Sequence, residues 1–179
     1  MSLYSYLNAQ HNSALKKAEH IQRLPVQDKI SRKIFLDDLI LHIKSLFLAE
    51  QVSLFAASEH IGNTTNFLES SLRNQEMVMS TLKSHALEPR EEDDIPYVLH
   101  TYQLNQQTYV YPYLKTQIPK DLEQTLGYFS AQFYDQVCAG TSSRDALIKT
   151  SGNLPFPVKE RARLRLDTVL NPRPLHQTA

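Results

Sequence analysis

The chain has 179 residues, 19 basic and 19 acidic side chains, only four glycines, no tryptophan and one cysteine. A chain with no net charge has no global field to draw in nucleic acid or anionic lipid, and a lone thiol, Cys138, excludes an internal disulfide and suits a reducing, cytoplasmic setting. Few glycines with abundant Leu, Gln, Glu and Lys favour helices, and the length suits one domain with a short appendage.

The start, MSLYSYLNAQHNS, lacks a basic stretch followed by an apolar run. No window reads as the ~18 uncharged apolar residues of a membrane span, so no membrane partner is expected. Charge is uneven along the chain: seven basic residues against three acidic ones from Arg144 onward, with Lys159, Arg161, Arg163 and Arg165 close together. The expected role of this basic end is to balance an acidic body, and no nucleic acid is expected, because charge runs are usually solvated faces.

A first helix is predicted from about Ser5 to Leu24, with Leu7, His11, Ala14 or Leu15, Ala18 and Ile21 on its inward face and Pro25 ending it. His20 falls beside that stripe and is predicted to be wet. A second, central helix starts at Pro25 or Val26 and ends near His60, closed by Gly62 and Asn63. It carries one apolar row of Phe35, Leu39, Ile43, Leu46 and Leu54, and a second of Ile30, Ile34, Leu41, Leu48, Val52 and Phe55. Glu50 interrupts the first row, four residues after Leu46 and four before Leu54, so a carboxylate points where hydrocarbon points. The third helix spans about Thr65 to His85 with Phe67 or Leu68, Leu72, Gln75, Met79 and Leu82 inward, and Gln75 interrupts its row in the same way. An acidic loop follows from Ala86 to Pro96.

The fourth helix is predicted over Ile95 to Gln117, with Tyr97, Leu104, Tyr111 and Leu114 or Ile118 inward, His100 close by, and a kink at Pro112. Tyr102, Tyr109, Tyr111 and Tyr113 crowd it. The fifth, capped by Asp121 and closed by Gly140, carries the regular row Leu122, Leu126, Phe129, Phe133 and Val137. Beyond it, Ser142 or Ser143 caps a short helix to Lys149, and a last helix starts at Pro157 with Val158, Ala162, Leu166 and Val169 inward. The tail after Asn171 is expected to be loose. The division expected is 1–140 for the main body and 141–179 for a helical appendage.

The order of these pieces resembles the hemerythrin-like (HHE cation-binding) family over about residues 8–136. The resemblance rests on AQHNSALKKAEHIQRL with its early inward histidine and on LFLAEQVSLFAASEH. It rests also on a third helix followed by an acidic loop, and on TYVYPYLKTQIPKDLEQTLGYF with its aromatic-proline pair. It implies an all-α, up-down four-helix bundle with additional C-terminal helices. In that family two iron ions sit between the helices, held by histidines and carboxylates. Carried over, the early histidine is His11 and the second-helix carboxylate is Glu50. The histidine four residues before that carboxylate falls on Leu46, the third-helix histidine on Gln75, and the fourth-helix histidine and carboxylate on Tyr102 and Gln106. Leucine cannot bind iron, and neutral glutamine and phenol bind it poorly. The expectation is therefore no cofactor, with His11, Glu50, Gln75, Tyr102 and Gln106 forming a hydrogen-bonded polar cluster where the family holds metal. His42 and His100 are weaker candidates for a shifted single-metal site with His11 and Glu50.

The function implied is a non-catalytic binding or regulatory module, working through a protein partner or self-association. Two alternatives stand beside it: an iron protein that carries or senses oxygen or nitric oxide, with a di-iron cofactor, and a small-ligand pocket at the vacated centre. No Gly-rich phosphate loop, His-Glu-x-x-His pair or nucleophile elbow is present in the sequence.

Overall fold

A computed structural model describes residues 1–62, 65–87 and 94–171. The described residues are all-α: α1 (Leu3–Arg23), α2 (Lys29–Glu50), α3 (Ala56–Ile61), α4 (Thr65–Leu87), α5 (Ile95–Asn105), α6 (Tyr111–Gln117), α7 (Lys120–Cys138), α8 (Ser143–Thr150) and α9 (Phe156–Leu170). Two wide turns of π type, Gln51–Phe55 and Gln106–Val110, join α2 to α3 and α5 to α6 without breaking either run. The acidic loop lies mostly outside the described residues, as do Asn63 and the tail beyond Asn171.

Ends follow local chemistry. Asp28 caps α2 by accepting the Ser31 N–H at 3.1 Å, so the helix starts at Lys29 and not at Pro25. Gly62 closes the α2–α3 run with φ of 85°, a left-handed value that costs glycine little. Pro119, and not Asp121, holds the cap position of α7; Asp121 sits in its first turn, where a carboxylate still favours the helix N-terminus. Ser142 caps α8 by accepting the Asp145 N–H.

Helix α1 packs against α2, α5 and α7; α2 packs against α1, α4 and α7; α4 closes the circuit against α5. Helix α9 lies on α3 and the adjoining wide turn. The Lys29–Ile61 run is long and apolar enough to cross a membrane by length and composition, but 83% of its apolar window is covered by the rest of the chain. The C-terminal segment shares the core: Ala146, Leu147, Val158, Ala162 and Leu166 belong to the same buried cluster as Leu46, Phe55, Leu126 and Phe133. A second cluster, with Ala18, Leu39, Ile43, Phe47, Leu82 and Tyr102, fills the other end.

Several expected inward positions face water. On α2, Ile30 (76% exposed), Ile34 (62%), Leu41 (44%) and Phe35 are uncovered, while Leu39, Ile43, Leu48, Val52 and Phe55 are buried. The second apolar row thus runs past the end of what covers it. On α5, Tyr97 and Leu104 point outward, and Ile95, Leu99 and Tyr102 point in. The row read through Tyr97, Leu104 and Tyr111 assumed a regular helix, and the wide turn after Asn105 breaks that phase.

Candidate functional site: a buried carboxylate with four donors

Glu50 ends the α-helical part of α2 with no exposed surface. A buried, ionised carboxylate is tolerable only when both oxygens accept hydrogen bonds. Oε1 accepts from His11 Nε2 at 2.8 Å and from the Tyr111 hydroxyl at 2.7 Å. Oε2 accepts from the Tyr102 hydroxyl at 2.7 Å and from Gln75 Nε2 at 2.9 Å. The donors come from α1, α4, α5 and α6, so one carboxylate ties four elements to α2. A second layer holds Gln75 in place: Gln51 Nε2 donates to its Oε1 at 2.8 Å, and the Tyr102 oxygen accepts from its Nε2 at 3.0 Å.

Electrostatics follow the contacts. Burial on its own would raise the Glu50 carboxyl, but attraction to His11 and the hydrogen bonds from His11, Tyr111 and Tyr102 outweigh it and hold the group below its ordinary range. Both phenols move the other way. Burial first, then the nearby negative charge of Glu50, pushes Tyr102 and Tyr111 well above 10. The centre is therefore built to keep one carboxylate charged and two phenols protonated.

The wide turn at Gln106–Val110 makes this arrangement possible. It ends just before Pro112, whose nitrogen has no hydrogen to give to the carbonyl four residues back. This turn stands directly ahead of Pro112, where the sequence predicts a kink. Gln106, expected in the cluster, is fully buried but turned away: its amide donates to Ser71 Oγ at 3.2 Å. Tyr111, placed inward by its apolar row, is buried there and also gives its hydroxyl to the cluster.

The two weaker histidines do not converge on Glu50. His100 is exposed. His42 is buried and fully engaged elsewhere, donating from Nε2 to the Gln10 carbonyl at 3.1 Å and accepting at Nδ1 from the Tyr134 hydroxyl at 2.8 Å. This pattern fixes one neutral tautomer, and burial accordingly lowers the His42 pKa.

Comparison with protein-family models, with curated proteins and with solved structures gives no match. The donor set itself bears on the di-iron centre that the resemblance implies. Leu46 offers only hydrocarbon, both Glu50 oxygens are taken by protein donors, and among the described residues no three His, Cys, Asp or Glu side chains cluster. A di-iron site needs several histidines and bridging carboxylates, and these residues do not fit it. Nor is the centre hollowed for a ligand by small side chains. The Tyr102 ring packs on Phe47 and His11 with centroids 5.0 and 5.4 Å apart, and Tyr111 packs on Tyr4 at 5.5 Å. A hollow of about 160 Å³ lies elsewhere, lined by Ile21, Arg32, Leu36, His85 and Ile95 among others.

Proposed function

We propose that this chain is a hemerythrin-like, up-down four-helix bundle in which a hydrogen-bonded carboxylate has taken the place of the metal centre, and that it works as a non-catalytic binding or regulatory module. The observation that carries the reading is the saturation of Glu50: two donors on each oxygen, all from the protein, with both phenols protonated. A metal ion there would have to displace those donors and would find one imidazole and one carboxylate as its only strong ligands. A network of this kind positions helices against one another and leaves recognition to the surface. Elemental analysis of freshly purified protein, with an ultraviolet-visible spectrum, tests it. The expected result is iron and zinc well below one ion per chain and a colourless protein. Iron near two per chain, with oxo-bridge absorption, overturns the reading and returns the iron-protein alternative.

A further inference from the structure

Ile30, Ile34 and Leu41 share one line of α2. At 100° per residue they fall within about 40° of one another, on the same line as Leu48. The upper end of that row is covered, with Leu48 and Val52 at 4% exposure or less, and α9 packs on the wide turn that holds Val52. The lower three side chains are 76%, 62% and 44% exposed. A row of large aliphatic side chains standing in water on a rigid helix is the kind of surface that marks an interaction site.

The charges beside the row identify what fits it. Lys33 and Asp37 lie on one flank of the stripe, one turn apart, joined to each other at 3.1 Å and both well exposed. Two copies of α2 placed antiparallel about a two-fold axis meet same flank to same flank. The register that sets Ile30 of one copy across from Leu41 of the other also brings Ile34 near its own symmetry mate and Lys33 beside Asp37 of the second copy. Symmetry repeats the Lys-Asp pairing, so the charges flanking the stripe are complementary to themselves. The chain carries 19 basic and 19 acidic residues, so no net repulsion opposes this approach.

We propose that the Ile30–Leu41 face of α2 is the docking surface for a second copy of this chain, paired antiparallel through its aliphatic row and two reciprocal Lys33–Asp37 contacts. The inference deepens the binding-module reading, on which it rests, by naming the partner.

Sedimentation equilibrium of the full chain across a wide concentration range tests it. A monomer–dimer equilibrium is expected for the unaltered chain. Ile34→Glu should weaken it at least about tenfold, as loss of a central anchor does, with the helical circular dichroism, and the melting temperature at a dilution where both chains are monomeric, unchanged. Lys33→Asp should weaken it by opposing two aspartates across the axis, and the double exchange Lys33→Asp with Asp37→Lys should restore it. A chain that stays monomeric at the highest concentration overturns the proposal, whatever other protein it binds. So does a dimer that Ile34→Glu leaves intact, or one that the double exchange fails to restore. Metal content measured on the same samples separates the two readings: a metal-loaded dimer defeats the metal-free module, and a metal-free monomer defeats only the pairing.

Discussion

Tyr102 and Tyr111 lie nine residues apart in one helical run and donate to the two different oxygens of Glu50. In a regular α-helix nine residues turn through about 900°, which puts two side chains on opposite faces. The wide turn between them holds one extra residue and takes back about 100° of that rotation. Both phenols are thereby brought round toward the same carboxylate. Tyr102 belongs to one apolar cluster and Tyr111 to the other, so Glu50 links the two halves of the core.

Removing either hydroxyl takes a donor from a buried charge. Tyr102→Phe and Tyr111→Phe should each destabilise the fold by about 1.5–3 kcal/mol, the range for hydrogen bonds to charged groups. Because both act on one carboxylate, the double variant should depart from the sum of the singles by at least ~0.5 kcal/mol. Urea denaturation of the four proteins measures this. Unchanged midpoints in both single variants would mean that the network contributes nothing to stability.

Glu50 itself should be costlier to truncate. Glu50→Ala leaves His11, Gln75, Tyr102 and Tyr111 with no common acceptor and opens a gap between the two clusters, at about 3–5 kcal/mol. Glu50→Leu fills the volume but still orphans the donors, so it should recover only part of the loss. Full recovery in Glu50→Leu would show that packing, and not hydrogen bonding, governs the centre.

Stability should fall with acidity in two steps. The folded His42 pKa lies below its ordinary 6.5, because burial outweighs its bond to the Gln10 carbonyl and the attraction of Asp38, while Lys17 and His11 oppose its protonation. The unfolded chain therefore binds this proton first, and stability declines as pH drops below 6.5 until the folded imidazole also titrates. The folded Glu50 pKa is likewise depressed from 4.5. Its contribution is complete above that value and is lost as pH falls through the lower, folded one. Denaturation midpoints from pH 8 to pH 3 should show both limbs, and His42→Phe should lose the upper limb while keeping the lower. If the upper limb survives that substitution, another group carries it.

The sequence pattern located much of this. His11, Gln75 and Glu50 each interrupt an apolar row at helical spacing, and the structure brings the three into contact. Tyr111 is inward as its row predicts, and only the bond from its hydroxyl to Glu50 is not legible there; Gln106 enters the expected cluster through the resemblance and not through periodicity. Gln106 opens the Gln106–Val110 turn and Tyr111 follows it, and periodicity carries a fixed 100° per residue through a segment that does not have it. Pro112 was the visible sign, but a proline announces distortion without giving its direction. The exposed Ile30, Ile34 and Leu41 mark a different limit. Periodicity tells which residues share a face, and it cannot tell how far along the helix the neighbouring elements extend.

The C-terminal helix is held by its apolar face as well as by charge. Val158, Ala162 and Leu166 are buried, and Arg165 pairs with Glu59 on α3. Leu166→Ala should cost about 2–4 kcal/mol by leaving a cavity, and hydrogen exchange should quicken in α9 before it does in α2. Arg165→Ala should act more weakly. Uniform quickening throughout the chain would mean that α9 unfolds only together with the rest.

The N-terminus is seated on α7 through a glycine chosen for space. A Cβ at Gly127 would stand 2.5 Å from the Met1 carbonyl oxygen and 2.9 Å from the Leu3 nitrogen, both backbone atoms that cannot swing aside. Nearby, Ser2 donates to Glu123, a carboxylate placed at the start of α1, where the helix dipole favours it. Gly127→Ala removes a helix-interior glycine, which alone would stabilise by about 1 kcal/mol. The clash should reverse that sign, for a net loss of about 1–2 kcal/mol, in the range of overpacked sites. Thermal melts of Gly127→Ala alone, and of Gly127→Ala lacking residues 1–2, separate the two effects. Removing Met1 and Ser2 should relieve the contact with the Met1 carbonyl, so the substitution should cost less in the shortened chain than in the full one. An equal cost in both would place the strain at Leu3 or within α7 itself.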